Sequence, residues 1–139
     1  MRRTVRWAVC VLIVTAGAIE LSAQVLRVTI EIKPGDAGPK TIEPGRGGML
    51  PVAILTTASF DASTVDPDSV RVGPTGTEAF VFKSALEDVD RDNDVDRLLL
   101  VRVPDLSIKC GQTEIRVTGK TVDGRSIEGS QKITPQGCT

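Results

Sequence analysis

The chain has 139 residues, with 17 basic and 18 acidic side chains, no histidine and an aromatic content of 3%. A formal net charge of −1 offers no basic footprint for a nucleic-acid partner, and the lack of histidine removes the commonest general acid–base side chain. With three phenylalanines and one tryptophan in all, the core has to be built from valine, isoleucine and leucine.

Arg2, Arg3 and Arg6 precede thirteen uncharged, mostly apolar residues, Trp7 to Ile19. This apolar core is shorter than the roughly 20 residues that span a bilayer, and small residues follow it, so residues 1–23 read as a signal peptide. Cleavage is expected after Ala18, at Ala16-Gly17-Ala18, or after Ala23, at Leu21-Ser22-Ala23; the second leaves the next strand whole. The competing reading is an N-terminal anchor that is never cleaved. Arg2-Arg3 suggests twin-arginine export without the rest of that signature, and Cys10 lies inside the apolar core and leaves with it. The expected mature domain, 24–139, keeps 14 basic and 17 acidic groups, a net charge of −3. It is long enough for one domain and is expected to be secreted, in the periplasm or outside the cell, and off the membrane once cleaved.

Val25 to Ile32 alternates, with Leu26, Val28, Ile30 and Ile32 on one face and Arg27, Thr29 and Glu31 on the other, the pattern of a half-buried strand. Lys33-Pro34-Gly35 ends it, and Pro44 to Gly48 marks a second loop. Met49 to Leu55 is an apolar run broken by Pro51, which predicts a sheet edge or a bulge at its start. Thr56 to Ser69 is polar and turn-rich, with Phe60 and Val65 as tethers to the core. Val70-Arg71-Val72 and Phe80-Val81-Phe82 are short strands on either side of a Gly73–Gly76 turn.

From Asp88 to Asp96 the sequence reads D-V-D-R-D-N-D-V-D, five carboxylates in nine residues. Such a loop repels itself unless a counter-charge is present, and an all-oxygen donor set suits a hard cation, calcium first. Asp88, Asp90, Asp92 and Asp96 occupy loop positions one, three, five and nine, and a main-chain carbonyl at Asp94 completes the predicted shell. An EF-hand would require glutamate at position twelve, and no register supplies it: Leu99, Val101 and Val103 stand there. The spacing, followed at once by a strand, resembles the calcium loops of FG-GAP repeats in integrin-like propellers. Their sixth position is usually glycine and here is Asn93, one of the few other residues that enters the left-handed region readily. Val89 and Val95 are expected to turn toward the core. The alternative is a solvated acidic turn that binds no metal.

Leu98 to Val103 is apolar on both faces apart from Arg102 and predicts a central strand. Ile115 to Val122 and Arg125 to Glu128 flank Asp123-Gly124, a hairpin signal. The two cysteines left after processing, Cys110 and Cys138, are expected to pair in an oxidising compartment; with no histidine and both thiols bonded, zinc is excluded. No long helical periodicity runs through the mature chain. The prediction is all-β: a single antiparallel β-sandwich, immunoglobulin-like in architecture, with a calcium-loop hairpin.

Five segments together resemble a family of short exported bacterial β-domains of unknown function: Ile30 to Gly35, Pro51 to Leu55, Glu87 to Asp92, Cys110-Gly111, and Gly119 through Gly129-Ser130. Its loop is of the type E-D-V-[ND]-G-D-G; here Arg91 and Asn93 stand where glycine is usual, and Arg97 where an apolar residue is. The resemblance covers nearly the whole mature chain and implies a β-domain with a calcium loop, without an activity.

Three functions compete. The first is a non-catalytic domain whose fold is fixed by calcium. The second is an interaction module for an exported protein or a surface component, where the shortage of aromatics counts against sugar stacking. The third is a hydrolase using two carboxylates of the loop as acid and base; against it, glycosidase carboxylates come from separate elements facing a cleft. No phosphate-binding glycine loop is present.

Overall fold

The computed structural model describes residues 24–138 and, before them, only positions 10, 11, 13 and 17. The expected signal peptide and its cleavage sites therefore lie almost wholly outside the described residues. The described chain is all-β. Its strands are β1 (Leu26–Arg27), β2 (Thr29–Ile32), β3 (Thr41–Ile42), β4 (Met49–Leu55), β5 (Val65–Gly73), β6 (Ala79–Glu87), β7 (Asp96–Arg102), β8 (Glu114–Thr121), β9 (Ser126–Lys132) and β10 (Thr134–Pro135). Short 3-10 turns at Pro44–Arg46, Ala62–Thr64 and Val103–Leu106 link them.

Two strands turn one sheet into two layers. β1 and β2 are halves of a single extended segment hinged at Val28: Leu26 and Arg27 run parallel to Ile127 and Glu128 of β9, whereas Thr29 to Ile32 pair antiparallel with β4. The sheet order β1-β9-β8-β5-β6-β7-β4-β2 thus begins and ends on the same stretch of chain. On the opposite side β6 makes the same crossing. Its first residues pair with β5, the rest with β7, and the register shifts between Val81 and Lys83. The crossing at Val28 needs a bare backbone opposite it, because a Cβ on Gly129 would sit 2.7 Å from the Val28 carbonyl oxygen.

The core lies between the layers. Ile30, Ile32, Val52, Ile54, Leu99 and Val101 face Val70, Val72, Ile115, Val117 and Ile127, all buried. Each such aliphatic side chain contributes roughly 1.5–3 kcal/mol by leaving water. Phe60 and Val65 are buried tethers, as expected, whereas Phe80 and Phe82 point outward at 65% and 60% exposure. β7 is central, between β6 and β4.

β4 is neither the edge strand nor the bulge that Pro51 predicts; it lies between β7 and β2 and pairs with both in unbroken register. The proline is tolerated because its missing N–H faces the place where β2 ends. Lys33 donates its N–H to the Pro51 carbonyl at 2.9 Å, and the Lys33 carbonyl, which would otherwise accept from residue 51, accepts from the Asp36 amide and Lys40 Nζ instead. The one ladder bond that the proline cannot make is replaced by these two. The Asp123-Gly124 hairpin joins β8 to β9 as expected, with Gly124 at φ 88°. Cys110 and Cys138 form a disulfide, with Cα atoms 5.8 Å apart, that fastens the segment before β8 to the C-terminal end.

Candidate metal centre

β6 and β7 form a hairpin whose last pair is Glu87 opposite Asp96, and the acidic loop is its connection. The loop is pinned at its far end by Asp96, whose side chain is wholly buried. One carboxylate oxygen accepts the Thr56 amide at 2.8 Å and the other the Val89 amide at 3.0 Å. Thr56 completes the clasp: its hydroxyl donates to the Val95 carbonyl at 2.6 Å and accepts the Ala62 amide at 2.9 Å. Because Asp96 turns inward, its neighbour Val95 turns out and is 46% exposed, which corrects the expectation that Val95 faces the core. Val89 is half-buried.

Within the loop the chain curls around the Asp88 carboxylate, which accepts the amides of Asp92 at 3.2 Å and Asn93 at 3.0 Å. Asp92 in turn accepts the Asp94 amide at 3.1 Å. This curl needs two left-handed residues, Arg91 at φ 59° and Asn93 at φ 71°. They are the two positions where the resembling loops carry glycine, which takes that conformation at no steric cost.

The result is a convergence of charge. Asp88, Asp90, Asp92, Asp94 and Asp96 each place a carboxylate oxygen within 4.8 Å of the others, a cluster that can hold a metal ion. An oxygen that accepts one N–H keeps a second lone pair for a cation. Among the described residues no lysine or arginine forms an ion pair with any of the five. The carboxylates therefore act on one another. Loss of solvation, a hydrogen bond shared with Asp92, and the charges of Asp96 and Asp92 push Asp90 up to about 6. Asp94 is pushed up to about 6 by its hydrogen bond with Asp92, then by desolvation and the surrounding charges. Asp92 is lowered, first by the bond from Asp94. The spacing assigns Asp94 only its carbonyl, yet its carboxylate turns into the cluster, where Oδ1 is buried with no hydrogen-bond partner.

The sequence gives no sign of Thr56, forty positions before the aspartate that it holds. Arg97, in the slot where the resembling family is apolar, lies across the gap between β7 and the start of β5 and donates to the Ser63 and Val65 carbonyls at 3.1 and 3.4 Å. Burial lowers its pKa, and its Nε is buried without a partner. An open cavity of about 680 Å³ adjoins the loop, lined by Glu31, Pro34 and Gly35 on one side and Asp88 to Arg91 on the other. Among the described residues no helix is long and apolar enough to cross a membrane. No protein-family model matches the chain, and none of the curated proteins matches it in sequence.

Proposed function

We propose that the chain is an exported, non-catalytic β-domain in which the Asp88–Asp96 loop binds one structural calcium ion, and that the calcium-fixed domain serves as a cell-surface or extracellular interaction module. The observation that carries this reading is the convergence of five carboxylates with which no cationic side chain among the described residues forms an ion pair. A cluster of this kind requires protons or a cation, and oxygen ligands in a flexible loop suit calcium better than magnesium, which demands a tight octahedron and keeps its water. The ion would draw Asp88, Asp90, Asp92 and Asp94 toward the anchored Asp96 and stiffen the tip of the β6–β7 hairpin. Export is supported by the signal-like start and by the disulfide, a bond at home in oxidising compartments. Calorimetric titration of chelator-treated protein with calcium should give one site with a dissociation constant of about 0.1–1 mM, the range of extracellular modules. Absence of binding refutes the calcium reading. Intact-mass measurement of protein recovered outside the cytoplasm should show a start near Gln24; a mass that includes Met1 to Ala23 refutes export by cleavage.

A hydrolase remains the second reading because Glu31, outside the loop, shares the adjoining cavity with Asp88 and Asp90. Its carboxylate is engaged by Lys40 at 3.7 Å. Turnover of glycosides that disappears in Glu31→Gln would establish this reading and remove the non-catalytic one.

A further inference from the structure

At the other end of the β6–β7 hairpin the surface changes sign. Phe80 and Phe82 are 65% and 60% exposed on β6, which is unusual for a protein whose only other described aromatic, Phe60, is buried. Exposed large apolar groups side by side mark a contact surface more often than an accident of folding. Both rings are stacked on guanidinium groups: Arg71 lies 3.7 Å from the centre of Phe80 and Arg102 lies 4.7 Å from that of Phe82. Arg71 is itself half-buried and donates Nη1 to the carbonyls of Val70 and Asp68 at 2.8 and 3.2 Å. Its guanidinium is thus held against the backbone of β5 and stacked on Phe80, whose ring stays largely exposed. Cation–π stacking of this kind holds a ring in one orientation without burying it.

The charge around the rings is also unspent. Arg71, Lys83 and Arg102 have no ion-pair partner among the described residues. Lys83 and Arg102 are exposed. Arg102 stands six positions along β7 from Asp96, about 20 Å away, and Lys83, opposite Leu100, about 13 Å away, and neither forms an ion pair with the acidic loop.

We infer that Phe80, Phe82, Lys83 and Arg102, with Arg71 holding the Phe80 ring in place, form a docking platform for an acidic polysaccharide, with the exposed rings stacking on sugar rings and Lys83 and Arg102 taking carboxylate or sulfate groups. Two exposed rings two residues apart on one strand suit a chain of rings, and guanidinium groups suit planar anions. The inference gives a partner class to the interaction-module reading above and rests on that reading, but not on calcium; it reverses the expectation that the shortage of aromatics counts against sugar stacking, because two of the three phenylalanines are exposed together.

Native electrophoresis through gels containing hyaluronate, chondroitin sulfate, neutral dextran or poly-glutamate tests it, run both in calcium and in chelator. The two acidic polysaccharides should retard the protein in a salt-sensitive manner, and dextran should not. The double variant Phe80→Ala with Phe82→Ala should weaken retention roughly tenfold or more, as loss of an anchoring aromatic pair does, with an unchanged melting temperature because both rings are exposed. Lys83→Ala with Arg102→Ala should also weaken retention and flatten its salt dependence. Retention in chelator should match that in calcium, so a failure of the calcium reading leaves this result interpretable. The inference is overturned if neither acidic polysaccharide retards the protein, if poly-glutamate retards it equally and the partner is an acidic polypeptide, or if the phenylalanine pair can be removed without effect.

Discussion

Asp96 and Thr56 stand forty residues apart in the chain, and the Thr56 amide donates to the buried Asp96 carboxylate at 2.8 Å. That bond, with its twin from Val89, makes Asp96 a fastening of the fold before it is a ligand of anything. Asp96→Ala would leave two amides without their charged acceptor, at about 1.5–3 kcal/mol per lost charged hydrogen bond. Urea unfolding in chelator at neutral pH should therefore show Asp96→Ala destabilised by several kcal/mol and Asp90→Ala unchanged or more stable, since it removes one of the mutually repelling carboxylates. Equal losses in the two variants would refute the division of labour between anchor and loop.

Arg91 and Asn93 adopt the left-handed conformation that glycine takes freely. Arg91→Gly should stabilise the domain by roughly 0.5–1 kcal/mol, since the steric cost of that region for an ordinary residue exceeds the extra chain entropy of glycine. Asn93→Gly should gain less, because asparagine tolerates the region. Calcium affinity should rise in Arg91→Gly if the same curl binds the ion. Chemical unfolding and calcium titration of the two variants measure both effects.

The mutual repulsion in the loop sets a pH dependence whose sign changes with calcium. Asp90 and Asp94 are raised to about 6 in the folded loop against 3.8 for a free side chain. A carboxyl raised on folding destabilises the fold above its folded pKa, and the penalty is relieved as pH falls from about 6 toward the unfolded value. In chelator, stability contributed by this loop should rise between pH 7.5 and pH 5. With calcium the order should reverse, because protons then compete with the ion, and the calcium-induced rise in melting temperature should shrink below about pH 6. Melting curves at the two pH values, with and without calcium, decide it.

The disulfide closes a loop with a sequence separation of 28 residues. By the chain-entropy relation a loop of this size contributes roughly 3–4 kcal/mol. Cys110→Ser should lower stability by about that much in urea unfolding, with reductant reproducing the loss in wild type. An unchanged midpoint would show that the C-terminal segment contributes nothing to the domain.

Local patterns in the sequence reveal much of this fold. The alternation of Val28, Ile30 and Ile32 gives a buried face, Asp123-Gly124 gives the β8–β9 hairpin, and the doubly apolar Leu98 to Val101 gives the central strand. Three features escape it because tertiary partners decide them. Pro51 reads as an edge, but β2 stops where its missing N–H would be needed. Lys83 to Glu87 lacks clean alternation because this half of β6, beyond its register shift, pairs with β7 alone. Asp96 continues the alternation of aspartates and reads as one more ligand, while its burial and the outward turn of Val95 depend on Thr56. The positions of the acidic loop are legible from spacing; its anchoring is not.

The central claim is that the loop binds calcium, and thermal unfolding of wild type beside Asp90→Ala tests it most directly. At ten to a hundred times its dissociation constant a ligand stabilises by roughly 1.4–2.7 kcal/mol, so millimolar calcium should raise the wild-type melting temperature by several degrees over chelator. Magnesium should do less, and Asp90→Ala should lose most of the response. Wild type and Asp90→Ala melting at the same temperature in calcium and in chelator would mean that the loop is a solvated acidic turn, and would contradict the account.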